Sequence, residues 1–358
     1  MLRVLVLGSG KIGVSVALDL LGAGDYAVTL ADHSAEALES RAPQGAEQLV
    51  LDVTDDRELL EALHDRWAVI NALPYFFNVR IAQAARASAV HYFDLSEDTD
   101  AAEGVRKVAE DKSGLQTLIA PQCGLAPGFI SIVAHHLVGA FDEVHDVKLR
   151  VGALPQFPDN ILRYNLTWST EGLINEYCNL CDAIHEGERR KLVPLEGLER
   201  FSLDGIDYEA FSTSGGIGTL CDTLDGKVRN LNYKTVRYPG HRDMVQMLAR
   251  DLKLCEHRET FKELIEFGVP VTRQDVVLVF VTVTGLKAGM LTQDSFMRKI
   301  YGDVEEDGRS AIQKTTSAGV TTLVDMLGEG ELPDHGLLRL EQVDFETFIQ
   351  NRFGQVYA

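Results

Sequence analysis

The sequence predicts an α/β protein, built as a doubly wound parallel sheet followed by a second, sheet-rich α+β region. Three observations predict it. From Leu2 to Pro121, short apolar strands alternate with helical stretches. The first strand opens into a glycine turn, GSGKIG, that runs straight into a helix. Beyond Gly128 the alternation gives way to longer strands with partial period-two patterning and scattered helices. The chain has 358 residues, more than one ordinary core organises, so two domains are expected.

The elements follow in order. Leu2 to Leu7 is apolar apart from Arg3. Gly8 permits the sharp turn out of the strand, Gly10 keeps a side chain away from an approaching pyrophosphate, and Gly13 lets the helix pack close to the strand. Lys11 and Ile12 lie at the helix N-terminus, where free N–H groups and the helix dipole favour phosphate. A second strand, Ala27 to Ala31, ends in Asp32, about 20 residues past the last glycine. Together these make a Rossmann-type dinucleotide fingerprint. A carboxylate at Asp32 accepts the adenosine ribose hydroxyls and repels a 2′-phosphate, and His33 and Ser34 supply no arginine, so NAD is expected. Helix Ala35–Ser40 and strand Glu47–Val53 come next. Asp52 or Val53 is placed by the adenine, and Thr54 and Asp55 equally read as a helix cap. Strand Ala68–Leu73 runs into Pro74-Tyr75-Phe76-Phe77-Asn78. Helix Val79–Ala87, strand Tyr92–Leu95, helix Ala101–Asp111 and strand Thr117–Pro121 complete the series. Ligands of such sheets lie beyond the carboxyl ends of the strands. Those ends hold Gly8, Asp32, Asp52, Pro74 with Tyr75, Asp94 and Cys123. The expected cofactor set is Gly8, Gly10, Lys11, Ile12, Gly13, Asp32, Asp52, Val53, Leu73 and Pro74.

The second region reads as strands Val144–Leu154, Leu162–Thr167, Phe201–Phe211, Val228–Arg237 and Val276–Val283, with helices Gly172–Ala183, Arg242–Leu252 and Thr260–Phe267. Helix returns from about Asp307. Helix Ala311–Leu327 carries Thr315, Thr316, Ser317, Ala318 and Gly319, small residues that allow close approach of a backbone or a cofactor. A last helix spans Phe345–Arg352. The domains are drawn at 1–122, 123–306 and 307–358.

A net charge of −20 argues against nucleic acid as a partner and mildly favours a small cationic substrate. No run of about 18 apolar residues spans a membrane. The N-terminus enters a strand without the layout of a secretory signal, and five scattered cysteines suggest no disulfide framework, so a cytoplasmic protein is expected. Cys178 and Cys181 form a CxxC on a predicted helix. No second CxxC or histidine pair accompanies it at zinc spacing, so no metal site is expected and the two read as half-buried cysteines on one helix face. His135 and His136, in ISIVAHHLV, read as core or interface histidines.

GSGKIG, ALPYFFN, YFDLSED, APQCGLAPGF, TWSTEGLINEY, KTVRYPGH and SAGVTTLVDMLGEGELPDHG occur in that order. The set resembles the saccharopine dehydrogenase-like family of amino-acid dehydrogenases over nearly the whole chain. TWSTEGLINEY with the PLEGLE segment is similar to its lysine 6-dehydrogenase branch, with Thr170 where that pattern has proline. The resemblance implies that the α+β domain is inserted, that the C-terminal helices return to the nucleotide domain, and that a homodimer forms through the inserted sheet. It implies that positions matching Tyr75, Asp94 and Cys123 line the catalytic cleft. It further implies NAD-dependent oxidation of the ε-amine of L-lysine. A saccharopine-type enzyme handling a secondary amine is the alternative, for which Arg163 and Arg229 are candidate extra anchors. A catalytically silent NAD sensor is a third reading, which retention of Tyr75, Asp94, Cys123 and Arg237 opposes.

The chemistry constrains the roles. An ammonium cannot release hydride, so a base must take a proton from an amine whose pKa is about 10.4 in water. Asp94 is the expected acid/base or ammonium anchor, against the plain reading of a helix cap with Ser96. Cys123 is expected to line the cleft, since no histidine is placed to activate it. Arg237 is expected to grip the substrate α-carboxylate through a two-pronged contact that lysine cannot copy. His241 either bonds the substrate or caps the next helix. Lys234 reads as a solvated neighbour, and Glu171 either neutralises a substrate ammonium or starts a helix.

Overall fold

The computed structural model describes residues 1–110, 116–302 and 308–358. The chain forms two compact units, Met1–Phe129 with Gln313–Ala358, and Ile130–Ile312. The sequence boundary at 306/307 and the predicted end of a helix at Asp111 lie outside the described residues.

The first unit runs β1 (Leu2–Leu7), α1 (Lys11–Ala23), β2 (Tyr26–Asp32), α2 (Ala35–Arg41), β3 (Glu47–Val50), α3 (Asp56–Leu63), β4 (Ala68–Asn71), α4 (Asn78–Ala87), β5 (His91–Asp94), α5 (Thr99–Glu110) and β6 (Leu118–Ala120). Every pair among these strands is parallel. The order 6-5-4-1-2-3 reverses between β1 and β4. That reversal opens a crevice at the strand carboxyl ends, where such sheets take their ligands. Leu5, Leu7, Val69, Ile81, Tyr92, Val105 and Ile119 form its core. Gly8 has φ +101°, and a Cβ on Gly13 would collide with the Gly8 carbonyl, so both turn positions require glycine.

The second unit begins within α6 (Phe129–Val138). It continues through β7 (Glu143–Pro155), α7 (Thr170–Cys178), β8 (Cys181–His185), β9 (Glu188–Leu192), β10 (Glu199–Leu203), β11 (Ile206–Ser212), α8 (Leu220–Thr223), β12 (Val228–Arg237), α9 (His241–Gln246), α10 (Arg258–Gly268), β13 (Asp275–Lys287) and β14 (Met290–Tyr301). The strands make a mixed sheet in the order 10-11-12-7-13-14, with the β8–β9 hairpin joined to β12. Tyr164, Leu173, Tyr177, Phe211, Val245, Phe261 and Ile265 form an apolar cluster contributed by the loop before α7 and by α7, α9, α10 and β11.

Several local expectations are corrected. Phe201–Phe211 is two strands, because Asp204 and Gly205 both take positive φ and close a hairpin. Glu186-Gly187 and Ala288-Gly289 do the same and create strands β9 and β14, which the sequence reading lacks. Leu162–Thr167 is not a strand, and a single bridge from Leu166 to Val271 is its sheet contact. The helix expected over Gly172–Ala183 stops at Cys178, so Cys181 opens β8 and the CxxC does not share a helix face. Cys178 instead forms a disulfide with Cys255, their Cα atoms 5.5 Å apart across 77 residues. The cysteines are therefore not all unpaired. His135 and His136 are exposed on α6 rather than buried in a core.

The chain returns to the first unit through α11 (Ala311–Gly328), β15 (Gly336–Leu337) and α12 (Phe345–Gln350). β15 adds a parallel strand beside β6. Asp325 of α11 accepts from Tyr26 Oη at 2.6 Å and from Arg352. The Phe129 and Tyr357 rings stack at 3.8 Å. A Cβ on Gly319 would lie 2.7 Å from the Cys123 carbonyl oxygen, so the small residues of α11 serve close backbone packing. Among the described residues, no helix is long and apolar enough to cross a membrane.

The disulfide closes a 77-residue separation, for which cross-linking stabilises a fold by about 2–4 kcal/mol. Cys255→Ser should therefore lower the unfolding midpoint in a denaturant titration. Thiol counting on the unfolded, unreduced protein should find the three free cysteines, Cys123, Cys181 and Cys221, rather than all five.

Candidate active site

The nucleotide end of the first unit is assembled from strand termini. α1 starts at Gly10 without a side-chain cap, so its first-turn N–H groups are not satisfied by a capping side chain. A Cβ at Gly10 would meet nothing within 4 Å, which leaves the space a phosphate requires. Asp32 Oδ2 accepts from Ser9 N and Oγ, both at 2.8 Å, and Oδ1 accepts from Ser34 N at 3.0 Å. Burial works against the Asp32 charge, yet the bonds from Ser34 and Ser9 hold its carboxyl below the ordinary carboxylate range. The residue stays anionic and oriented. Ser9 is a contributor that the glycine spacing alone does not reveal.

The other expected cofactor residues divide. Asp52 is exposed and its Oδ1 accepts from Thr54 N and Oγ1, which makes it the cap of its own loop. Val53 packs its side chain against the apolar core, and Arg80 Nε donates to its carbonyl at 2.8 Å. Leu73 N is tied to Asn71 Oδ1 at 3.1 Å, fixing the chain before exposed Pro74. Tyr75 lies half-buried in a 3-10 turn, Tyr75–Phe77, with Phe76 exposed beside it. The Phe76 ring contacts those of Tyr75 and Phe77, centroids 5.8 and 4.5 Å apart, and Phe77 packs against the core.

Asp94, at the end of β5, is 1% exposed. Its Oδ1 accepts from Gln122 N and Ser96 N, at 3.0 and 3.1 Å, and its Oδ2 accepts from Tyr92 Oη at 2.9 Å. Burial outweighs these bonds and pushes its carboxyl up to about 6. The Cys123 thiol donates to Ala120 O at 3.1 Å, and burial, with the Asp94 charge, holds it well above its ordinary range. Cys123 is therefore a neutral thiol and not a nucleophile.

In the second unit, Arg237 ends β12 and is 2% exposed. Its Nε donates to Tyr177 Oη at 3.3 Å, Nη1 donates to Val236 O at 2.9 Å, and its Cζ lies 4.8 Å from the Tyr164 ring centroid. Nη2 stands 3.8 Å from Glu176 Oε2. Burial opposes the Arg237 charge, but Tyr177, Tyr164 and Glu176 raise its pKa above the ordinary value, so it remains a cation. His241 opens α9, with Nδ1 at 2.8 Å from the Leu162 carbonyl and Nε2 at 2.9 Å from Tyr177 Oη. A carbonyl only accepts, so Nδ1 carries the hydrogen and Nε2 accepts from Tyr177. Burial and the Arg237 charge push the imidazole down to about 3, keeping it neutral. With both ring nitrogens committed, His241 is a support for Tyr177 and not a substrate ligand. Glu209 bonds Gly240 N and Arg242 N, fixing the loop that follows Arg237.

Glu171 stands in the first turn of α7, as its helix-start reading has it, and pairs with Lys262 at 2.7 Å in a partly exposed contact. One further expectation is corrected. Lys234 is buried, bonded to Glu199 at 2.6 Å, and is not solvated. Sequence reasoning passed over Tyr164, Glu176 and Tyr177. The signal for Glu176 and Tyr177 lay in INEY, polar residues on a helix with an apolar face, whereas nothing local marks Tyr164.

A parallel sheet with a bare glycine turn and an anionic residue at the ribose position defines a pyridine-nucleotide-binding unit. The profile described as "Saccharopine dehydrogenase NADP binding domain" matches residues 4–117, and the "Saccharopine dehydrogenase C-terminal domain" matches residues 124–354. The chain belongs to the saccharopine dehydrogenase family. It is 31% identical over 184 residues to saccharopine dehydrogenase [NADP(+), L-glutamate-forming] of Saccharomyces cerevisiae, spanning 48% of this chain and 40% of that protein. It is 24% identical over 353 residues to the mitochondrial alpha-aminoadipic semialdehyde synthase of Bos taurus, spanning 92% of this chain and 35% of that protein. The chain thus matches well under half the length of either relative. In fold it is similar to apo saccharopine dehydrogenase (L-Glu forming) from Saccharomyces cerevisiae, with a TM-score of 0.80, 19% identity, and 97% and 95% of the two chains covered.

The raised Asp94 carboxyl has a sign that can be tested. Its native pKa of about 6 exceeds its ordinary 3.8, so its contribution to stability is greatest below pH 3.8 and declines as pH rises through about 6. Asp94→Asn keeps the shape and removes the titration. Its stability relative to the parent chain should rise by about 1 kcal/mol between pH 5 and 7.5, at about 1.4 kcal/mol per unit of pKa difference. Urea unfolding at both pH values reads this, and a pH-independent difference would refute it.

Proposed function

We propose that the chain is an NAD-dependent dehydrogenase that oxidises the ε-amine of L-lysine to 2-aminoadipate 6-semialdehyde, which cyclises with its own α-amine. The observation that carries the reading is Arg237. Among the described residues of the second unit, the buried arginines are Arg150 and Arg237, and Arg150 is held by Glu199 through two hydrogen bonds at 2.9 Å. Arg237 then serves as the receptor for one carboxylate. Arg229 is bound to Glu186 at the surface and Arg163 is exposed, so neither supplies the second buried anchor that a dicarboxylic partner needs.

The residues have the following roles in this reading. Arg237 holds the α-carboxylate, and the Tyr177–His241–Leu162 chain fixes the direction of its guanidinium. Asp94 retains a lone pair on Oδ2 beyond its bond to Tyr92 and takes the proton the amine must lose. Gly8, Gly10 and Gly13 shape the phosphate turn, and the Asp32 anion favours a free ribose over a 2′-phosphate. The glycine turn and Asp32 would hold a pyridine nucleotide, which would supply the hydride acceptor. Water then replaces nitrogen at the oxidised carbon and ammonium leaves.

The names of the relatives favour a second reading, cleavage or formation of a secondary amine with NADP. A nucleotide-absorbance assay separates the two. L-Lysine with NAD should produce NADH at a rate that climbs into the alkaline range as the amine deprotonates. Arg237→Lys should raise KM more than it lowers kcat. NADP preferred over NAD would reverse the cofactor assignment, and turnover of saccharopine without turnover of lysine would establish the second reading.

The second unit is also proposed to carry a homodimer contact. β14 is an edge strand of its sheet, and Met290, Leu291 and Tyr301 on it are exposed. Light scattering at micromolar concentration should give twice the 39.5 kDa chain mass. A monomer would dispose of the contact.

A further inference from the structure

Asp94 ends β5, and Tyr92 stands two residues before it, on the same face of the strand. The two carboxylate oxygens are held differently. Oδ1 accepts from Gln122 N and Ser96 N, which occupies both of its lone pairs. Oδ2 accepts from the Tyr92 hydroxyl at 2.9 Å, which leaves one lone pair open. Backbone supplies the first two donors, so among the described residues Tyr92 is the side-chain donor to this carboxylate. Tyr92 is itself fully buried and held from β4 and α4. Its Oη lies 3.3 Å from the Asn78 carbonyl, and the Asn71 side chain bonds the same hydroxyl. Asn71 is the register partner of Asp94 on β4. Its Nδ2 donates to Asn78 Oδ1 at 2.8 Å, and its Oδ1 accepts from Leu73 N at 3.1 Å. A hydroxyl has one hydrogen, and the shorter contact, to the charged acceptor, takes it. Burial keeps the Tyr92 phenol protonated, well above its ordinary range.

We propose that Tyr92 is a positioning residue for the reaction: its hydroxyl, fixed by Asn71 and Asn78, makes Oδ2 the oxygen of Asp94 that takes the proton and keeps that oxygen anionic until it does. This rests on the role given to Asp94 above and names the group on which that role depends. A carboxylate so deeply buried favours its neutral form, and a neutral carboxyl has no charge with which to draw a proton from an ammonium. The Tyr92 bond acts on the charged form and opposes that tendency. The proton of the substrate ammonium goes to the open lone pair of Oδ2, the N–H bond breaking as the O–H bond forms. The Asn78 carbonyl then offers the Tyr92 hydrogen a second acceptor. The other groups that face Asp94 are uncharged among the described residues. They are the Cys123 thiol, kept neutral by burial and bonded to Ala120 O, and the amides of Asn71 and Asn78.

Tyr92→Phe removes only the hydroxyl. With L-lysine and saturating NAD, kcat of the parent chain should fall below about pH 6, where Asp94 takes up a proton. In Tyr92→Phe that acid limb should move up by about one pH unit, the order of a hydrogen bond to a charged group. An unmoved limb, or an equal loss of kcat at every pH, overturns the proposal, since a merely structural role lowers kcat without regard to pH. Urea unfolding reads the same contact without the reaction. The donor acts on the anion, so the variant should lose more stability at pH 7.5 than at pH 5, by about sevenfold in the unfolding constant. That excess should vanish when both chains carry Asp94→Asn. No excess, or one that survives Asp94→Asn, overturns the proposal. Should lysine not be oxidised while the excess is found, the reaction falls and the hold on Asp94 stands. Should Tyr92→Phe fail to fold, 3-fluorotyrosine in place of the tyrosines makes the hydroxyl a stronger donor. Both readouts should then move the opposite way, and no movement overturns the proposal.

Discussion

The second unit is organised around keeping one guanidinium charged where water does not reach it. A buried ion costs several kcal/mol unless its neighbours replace the lost hydration. Arg237 recovers that cost from elements far apart in sequence: Tyr164 from the loop before α7, Tyr177 and Glu176 from α7, Val236 from its own strand. The Tyr177 hydroxyl can accept from Arg237 only because its own hydrogen goes to His241. His241 can accept only because its other nitrogen donates to Leu162. One carbonyl thus sets the direction of three hydrogen bonds in series. Such a chain tolerates no member that reverses donor and acceptor, which accounts for a neutral imidazole so close to a cation.

The first unit faces the opposite electrostatic task. Asp32 must remain an anion beside a site that receives a polyanionic cofactor. Its two oxygens are held by Ser9 and Ser34, so the negative charge is fixed at one edge of the turn, and the start of α1, which no side chain caps, lies at the other. An anion and an uncapped helix start thus lie within a few residues of each other.

Legibility in the sequence followed the range of the interactions. The nucleotide unit was readable because its signals are local: a glycine spacing, a strand end twenty or so residues on, and regular alternation of strand and helix. Gly8, Gly13, Asp32 and Asp94 all stand at strand or turn positions that the pattern implies. Arg237 was readable from its residue type at the end of a strong strand. Its surroundings were not, because the Tyr177–His241 and Cys178–Cys255 pairings join residues more than sixty positions apart, and no periodicity encodes them. The hairpins were missed for a different reason. Asp204-Gly205 interrupts what reads as one continuous strand, and the left-handed conformation that turns it is carried by two residues only. His241 and Glu171 each kept two uses open in the sequence, because residue type names a capability, whereas burial and partners decide its use.

The route of the chain through the first unit has a consequence for synthesis. Its sheet is laid down by residues before Phe129, but Asp325, Arg352 and Tyr357, which bond or stack on Tyr26 and Phe129, are made only after the entire second unit. A nascent chain emerging from the ribosome therefore carries an unfinished nucleotide-binding sheet for the time needed to translate more than two hundred residues. During that interval the β6 edge lacks β15, and the surface that α11 will cover is bare. The unit that starts first is completed last. While it waits, the first unit exposes an open sheet edge, the kind of surface on which incomplete domains aggregate.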